Sequence, residues 1–148
     1  MVKALRLLFT EPANAWLALH IGYFIISAKR KLARQSLPEF IAGLRRRSFV
    51  PAPQASAERV VRFRNWWLNR SQLQNFNTCY VRAMTLYRFL DAPDKDLRLH
   101  IGIETRERAG ERLRGHSWVS LDGRMIEGPE AVAQGRIREI ALPRGPRR

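Results

Sequence analysis

A single cysteine, Cys79, and three histidines, His20, His100 and His116, are the side chains best suited to nucleophilic chemistry in this sequence. A thiolate attacks a carbonyl carbon, an imidazole takes and returns the proton, and a carboxylate fixes the imidazole tautomer. Cys79 follows Asn77 and Thr78, two good N-cap residues, and precedes the periodic stretch Tyr80–Leu90, which sets the sulfur in the first turn of a helix. Unpaired N–H groups and the positive dipole end there stabilise a thiolate. A free cysteine taken alone is more often a small buried hydrophobe, so the case for chemistry depends on what the following strands bring to it.

Those strands are legible in the alternation. Leu97, Leu99, Ile101 and Ile103 alternate with Arg98, His100, Gly102 and Glu104, which predicts a strand over 97–105 with His100 on its exposed, polar face. Residues 116–121 and 124–128 flank the Asp122-Gly123 pair, a strong hairpin signal because both central residues of a type I′ turn take positive φ. A two-residue turn would pair Leu121 with Arg124, Ser120 with Met125, Val119 with Ile126 and Trp118 with Glu127. His116, Trp118 and Glu127 would then share a face, with Glu127 diagonal to His116 at about 7–8 Å between backbones. Asp122 at the hairpin tip would lie roughly 20 Å from His116. The expected site is therefore Cys79 as nucleophile and His116 as base, with Glu127 as the orienting acid ahead of Asp122. Oxyanion donors would be the Cys79 N–H and an amide among Gln72, Gln74, Asn75 and Asn77. No metal and no cofactor is expected.

The elements that must hold these groups are helices upstream and a small sheet downstream. The chain has 148 residues, 45% of them hydrophobic, enough for one compact core and too few for two full domains. Residues 13–28 form the most apolar stretch, too short to span a bilayer and suited to a buried or interfacial helix, with His20 a core or interface residue. Short helices are predicted over 38–46 and 58–70, separated by the Pro- and Ala-rich segment 49–57. The expected organisation is an N-terminal helical extension (1–56) and a catalytic core (57–148). The fold class is α+β, a helix bearing Cys79 packed on a small antiparallel sheet that includes 137–142. Residues 143–148 should fray.

Charge narrows the partners. Lys and Arg outnumber Asp and Glu by 27 to 13, a formal net charge of +14, which attracts acidic peptides, anionic lipid or nucleic acid. No recognition helix, RNP-like strand or paired metal-ligand array accompanies it, so nucleic acid is not an expected partner. One cysteine cannot form an intramolecular disulfide, and Glu11 and Pro12 interrupt the apolar run of the first residues, so a reducing, cytoplasmic location is expected. Peripheral membrane contact is expected, if anywhere, through 13–28.

The residues NTCYVRAMTLYRFL (77–90), LHIGI (99–103) and HSWVSLDG (116–123) together resemble the transglutaminase-like leader peptidases of lasso-peptide biosynthesis, the B proteins of those clusters. The resemblance covers 71–129 at the level of motifs and implies a papain-like cysteine protease core. It also implies a Cys-His-Asp type of site that removes the leader from a ribosomally made precursor. Cys79 matches the family nucleophile and His116 the base, whereas the acid departs from a clean Asp, with Glu127 and Asp122 the candidates. The implied partners are the precursor peptide, a separate leader-recognition protein and an ATP-dependent lasso cyclase. Two other readings stand beside it: a noncatalytic basic module that binds an acidic leader, and a nucleic-acid or membrane-surface protein.

Overall fold

The computed structural model describes residues 11–45, 53–92, 95–104, 114–128 and 137–143. Helix α1 (Pro12–Leu32) opens with Pro at its first position, where no N–H is needed. Helix α2 (Leu37–Arg45) follows, its start capped by Glu39, whose carboxylate accepts from the Ser36 N–H and Oγ, both at 2.8 Å. Helix α3 (Ala57–Leu68) leads through a 3-10 turn (Ser71–Phe76) into α4 (Cys79–Phe89). The sequence presents that turn as polar loop; Leu73 is its buried anchor.

Four antiparallel strands follow: β1 (Leu97–Glu104), β2 (Arg114–Leu121), β3 (Arg124–Glu127) and β4 (Ile137–Pro143), in the order β3-β2-β1-β4. The α+β class predicted from the sequence is the observed one. Asp122 and Gly123 take φ of 51° and 75° at the β2–β3 turn, the positive values that select Asp-Gly there. Residues 105–113 of the expected loop, 144–148 of the expected frayed tail and 49–52 of the predicted linker lie outside the described residues, whereas Pro143, also expected to fray, closes β4.

One core joins the N-terminal helices to the sheet. Ile21 and Ile25 of α1, Val60 and Phe63 of α3, Met84, Leu86 and Phe89 of α4, and Leu97, Leu99 and Val119 of the sheet are all at most 2% exposed. Each such aliphatic or aromatic side chain contributes roughly 1.5–3 kcal/mol by burial. Helix α1 meets α3 closely: Trp67 Nε1 donates to the Ala18 carbonyl at 2.7 Å, and the indole lies where a Cβ on Gly22 would stand. The opposite side of α1 leaves Trp16, Leu19 and Tyr23 at least half exposed. No helix among the described residues is long and apolar enough to cross a membrane.

Two expectations are corrected by the sheet. His100 is not exposed: it is 8% accessible, stacked on Trp118 at 5.1 Å and 6°, with Nε2 2.6 Å from Ser120 Oγ. On the face of the sheet away from the helices, His100, Trp118 and Ser120 bury one another while Arg98 stays exposed, so the polar alternation does not by itself mark solvent. The hairpin register also differs. Leu121 pairs with Arg124 and Ser120 with Met125 as expected, but Val119 pairs with Glu127, because an irregularity between Val119 and Ser120 leaves Ile126 as an extra residue. One additional residue sends every later side chain to the other face, so Glu127 joins Val119 on the helix side, away from Trp118.

Candidate active site

Thr78 caps α4 from an extended conformation, its Oγ1 accepting from the Val81 N–H at 3.3 Å. Cys79 is thereby the first helical residue, partly exposed, with its thiol donating to the Gly115 carbonyl at 3.6 Å. Side chains three residues apart on a helix are neighbours, and Arg82 accordingly stands beside Cys79 over a cavity of about 240 Å³. Ala83 and Leu86 form its apolar wall; Ser117, Glu127 and Gly128 complete the lining.

Glu127, the expected acid, lies on the helix face of the sheet and is engaged there by cations. Glu127 is held by two guanidinium groups: Arg64 bonds both its oxygens, at 2.5 and 3.0 Å, and Arg82 bonds Oε1. Arg64 is fully buried, and also donates to Asn65 Oδ1 at 2.9 and 3.2 Å and to the Arg82 carbonyl at 3.4 Å. Burial pushes the Glu127 carboxyl upward, but the bonds and charges of Arg64 and Arg82 outweigh it and hold it below the ordinary carboxylate range. Burial likewise draws the Arg64 guanidinium down, against the pull of Glu127. Arg82 also reaches Asn77 Oδ1 at 3.3 Å, so the network ties α3, β3 and the entry to α4 around the cysteine. The hydrophobic pattern of α3 gave no warning that Arg64 is buried; its partner lies 63 residues away.

His116 is the residue after Gly115, whose carbonyl receives the thiol. Its backbone pairs with Gly102 while Ser117 pairs with Ile101 and Trp118 with His100. Side chains alternate along this regular stretch, so Ser117 faces α4 and the cavity while His116 shares the other face with Trp118. The described conformation thus brings Cys79, Arg82, Glu127 and Ser117 together, with His116 adjacent in the chain but turned to the opposite side of β2. Asp122 stays at the hairpin tip, where it exchanges two 3.0 Å bonds with the backbone of Asp96. Of the suggested oxyanion amides, Gln72, Gln74 and Asn75 are exposed and Asn77 is engaged by Arg82. Ser117 carries a signal that sequence spacing could not supply: it is 3% exposed and its Oγ has no hydrogen-bond partner among the described residues.

A helix that presents a cysteine at its N-terminal turn against an antiparallel sheet, with a histidine on the adjoining strand, defines a papain-like α+β core. The family model of the transglutaminase-like superfamily matches residues 23–140, and the chain belongs to that superfamily, in which cysteine protease activity is common. No curated protein and no solved structure matches the chain.

Proposed function

We propose that the protein is a cysteine peptidase that removes the leader from a ribosomally synthesised precursor peptide during lasso-peptide maturation. The observation that carries the reading is Cys79 itself. It occupies the capped first turn of α4 and opens into a cavity, within a chain of a superfamily rich in cysteine peptidases. In this reading the Cys79 sulfur attacks the amide carbon after the leader, the imidazole of His116 takes the thiol proton and delivers it to the leaving amine, and water hydrolyses the thioester. The thiol proton is directed at Gly115 in the described conformation, so the imidazole of His116 has to swing around the edge of β2 beyond its β3 pairing, which covers Val119–Leu121, to reach the sulfur while Ser117 keeps its place facing α4. Binding of the precursor with a separate leader-recognition protein is the proposed trigger, and a lasso cyclase uses the released core.

The test is leader cleavage of a cognate precursor, followed by mass spectrometry, with and without the recognition protein. Cys79→Ala should keep the wild-type circular dichroism and melting behaviour and lose cleavage. Cleavage that survives in Cys79→Ala would sink the peptidase reading and leave a leader-binding module.

A further inference from the structure

The cavity beside Cys79 contains a polar group that the protein leaves unused. Ser117 is 97% buried, as its 3% exposure gives, and its hydroxyl has no partner among the described residues. A hydroxyl can donate one bond and accept two, and leaving it buried without any is unfavourable. A structural role does not explain the residue, since an alanine would fill the same place without that cost. Its position does. Gly115 and Ser117 lie two residues apart on the face of β2 that meets α4, about 7 Å along the strand. The Cys79 thiol sits on the Gly115 carbonyl at 3.6 Å, and Ser117 lines the same cavity as the sulfur. Cys79 and Ser117 thus border one cavity, where a substrate carbonyl would enter.

We propose that the Ser117 hydroxyl is the side-chain donor of the oxyanion hole, bonding the oxygen of the carbonyl that Cys79 attacks. The proposal rests on the peptidase reading and names the group that stabilises its tetrahedral intermediate. As the Cys79 sulfur forms its bond to the carbonyl carbon, the C=O π pair moves onto oxygen, and the thiol proton passes to His116. Ser117 Oγ–H and the Cys79 N–H at the helix terminus then both point at the new anion. When the pair returns, the C–N bond breaks, the amine leaves with the proton from His116, and Ser117 releases the oxygen of the thioester. A donor buried in a cavity walled by Ala83 and Leu86 acts where water does not screen it, which is where such donors are strongest.

The experiment compares two reactions of the same sulfur in the full-length protein. Acylation by p-nitrophenyl acetate passes through an oxyanion; alkylation by iodoacetamide does not. Ser117→Ala should slow acylation by about 100-fold, expressed in the rate constant rather than in KM, while leaving the alkylation rate and the melting temperature near wild type. Ser117→Thr, which keeps the hydroxyl donor, should recover most of the acylation rate. Equal slowing of both reactions would place Ser117 on the thiol and overturn the assignment, as would an acylation rate unchanged in Ser117→Ala or a loss confined to KM. Those results leave the peptidase reading intact. A wild-type chain acylated no faster than Cys79→Ala overturns both.

Discussion

Removing the Glu127 carboxylate should damage the fold before it damages the chemistry. In Glu127→Ala, Arg64 keeps its bonds to Asn65 Oδ1 and the Arg82 carbonyl but loses the only carboxylate that bonds it among the described residues, while remaining fully buried. Stripping one partner from a buried ion pair costs about 3–5 kcal/mol. Glu127 is 29% exposed at its side chain, which lets solvent reach the gap and argues for about 3 kcal/mol, the lower end of that range. For a domain of this size that lowers the melting temperature by roughly 6–12 °C. Thermal unfolding followed by circular dichroism measures it, and Glu127→Gln, which keeps one acceptor oxygen, should recover part of the loss. Replacing the charges together, as in Arg64→Met with Glu127→Gln, should restore more, because no buried cation is then stranded. The pH dependence carries the same signature. A carboxyl held below its unfolded value stabilises the fold above that value, about 4.3, and the contribution disappears as pH falls through the lower folded value. Wild type should therefore lose stability on acidification below about pH 5 more steeply than Glu127→Gln. A Glu127→Ala protein with unaltered melting and abolished cleavage would refute this reasoning and return the residue to the role of catalytic acid.

Two further outcomes test the frame around the site. Gly22→Ala should lower stability by about 1–3 kcal/mol, measured by urea unfolding, because its new methyl would occupy the space of the Trp67 indole and press α1 away from α3; an unchanged midpoint would mean the helices have room to spare. Asp122→Asn should retain near wild-type cleavage and folding, since asparagine tolerates the positive φ of the turn, whereas lost cleavage in a stably folded protein would identify Asp122 as the triad acid.

The start of α4 was readable because its signal is local: Thr78 caps the helix and Cys79 follows by one residue. The turn at Asp122-Gly123 and the apolar alternation of Leu97 and Leu99 were readable for the same reason. What the sequence hid depends on distant parts of the chain. The irregularity between Val119 and Ser120 has no marker in RMIE, yet it moves Glu127 to the helix face and removes the acid from the side that His116 was expected to share. Arg64 lies among the hydrophobic positions of α3, and only the approach of Glu127 from β3 makes its burial tolerable. His100 follows a polar pattern but stacks on Trp118 of the neighbouring strand. The expected division at residue 56 follows composition, whereas Ile21 and Val60, on either side of it, share one core.

The Arg64–Glu127–Arg82 network changes how a mutational survey of this protein should be interpreted. An alanine scan scored by product formation alone would rank a residue whose loss unfolds the chain, as expected for Glu127, beside residues that act on substrate. Only variants sorted first by how much folded material survives heating will separate the two.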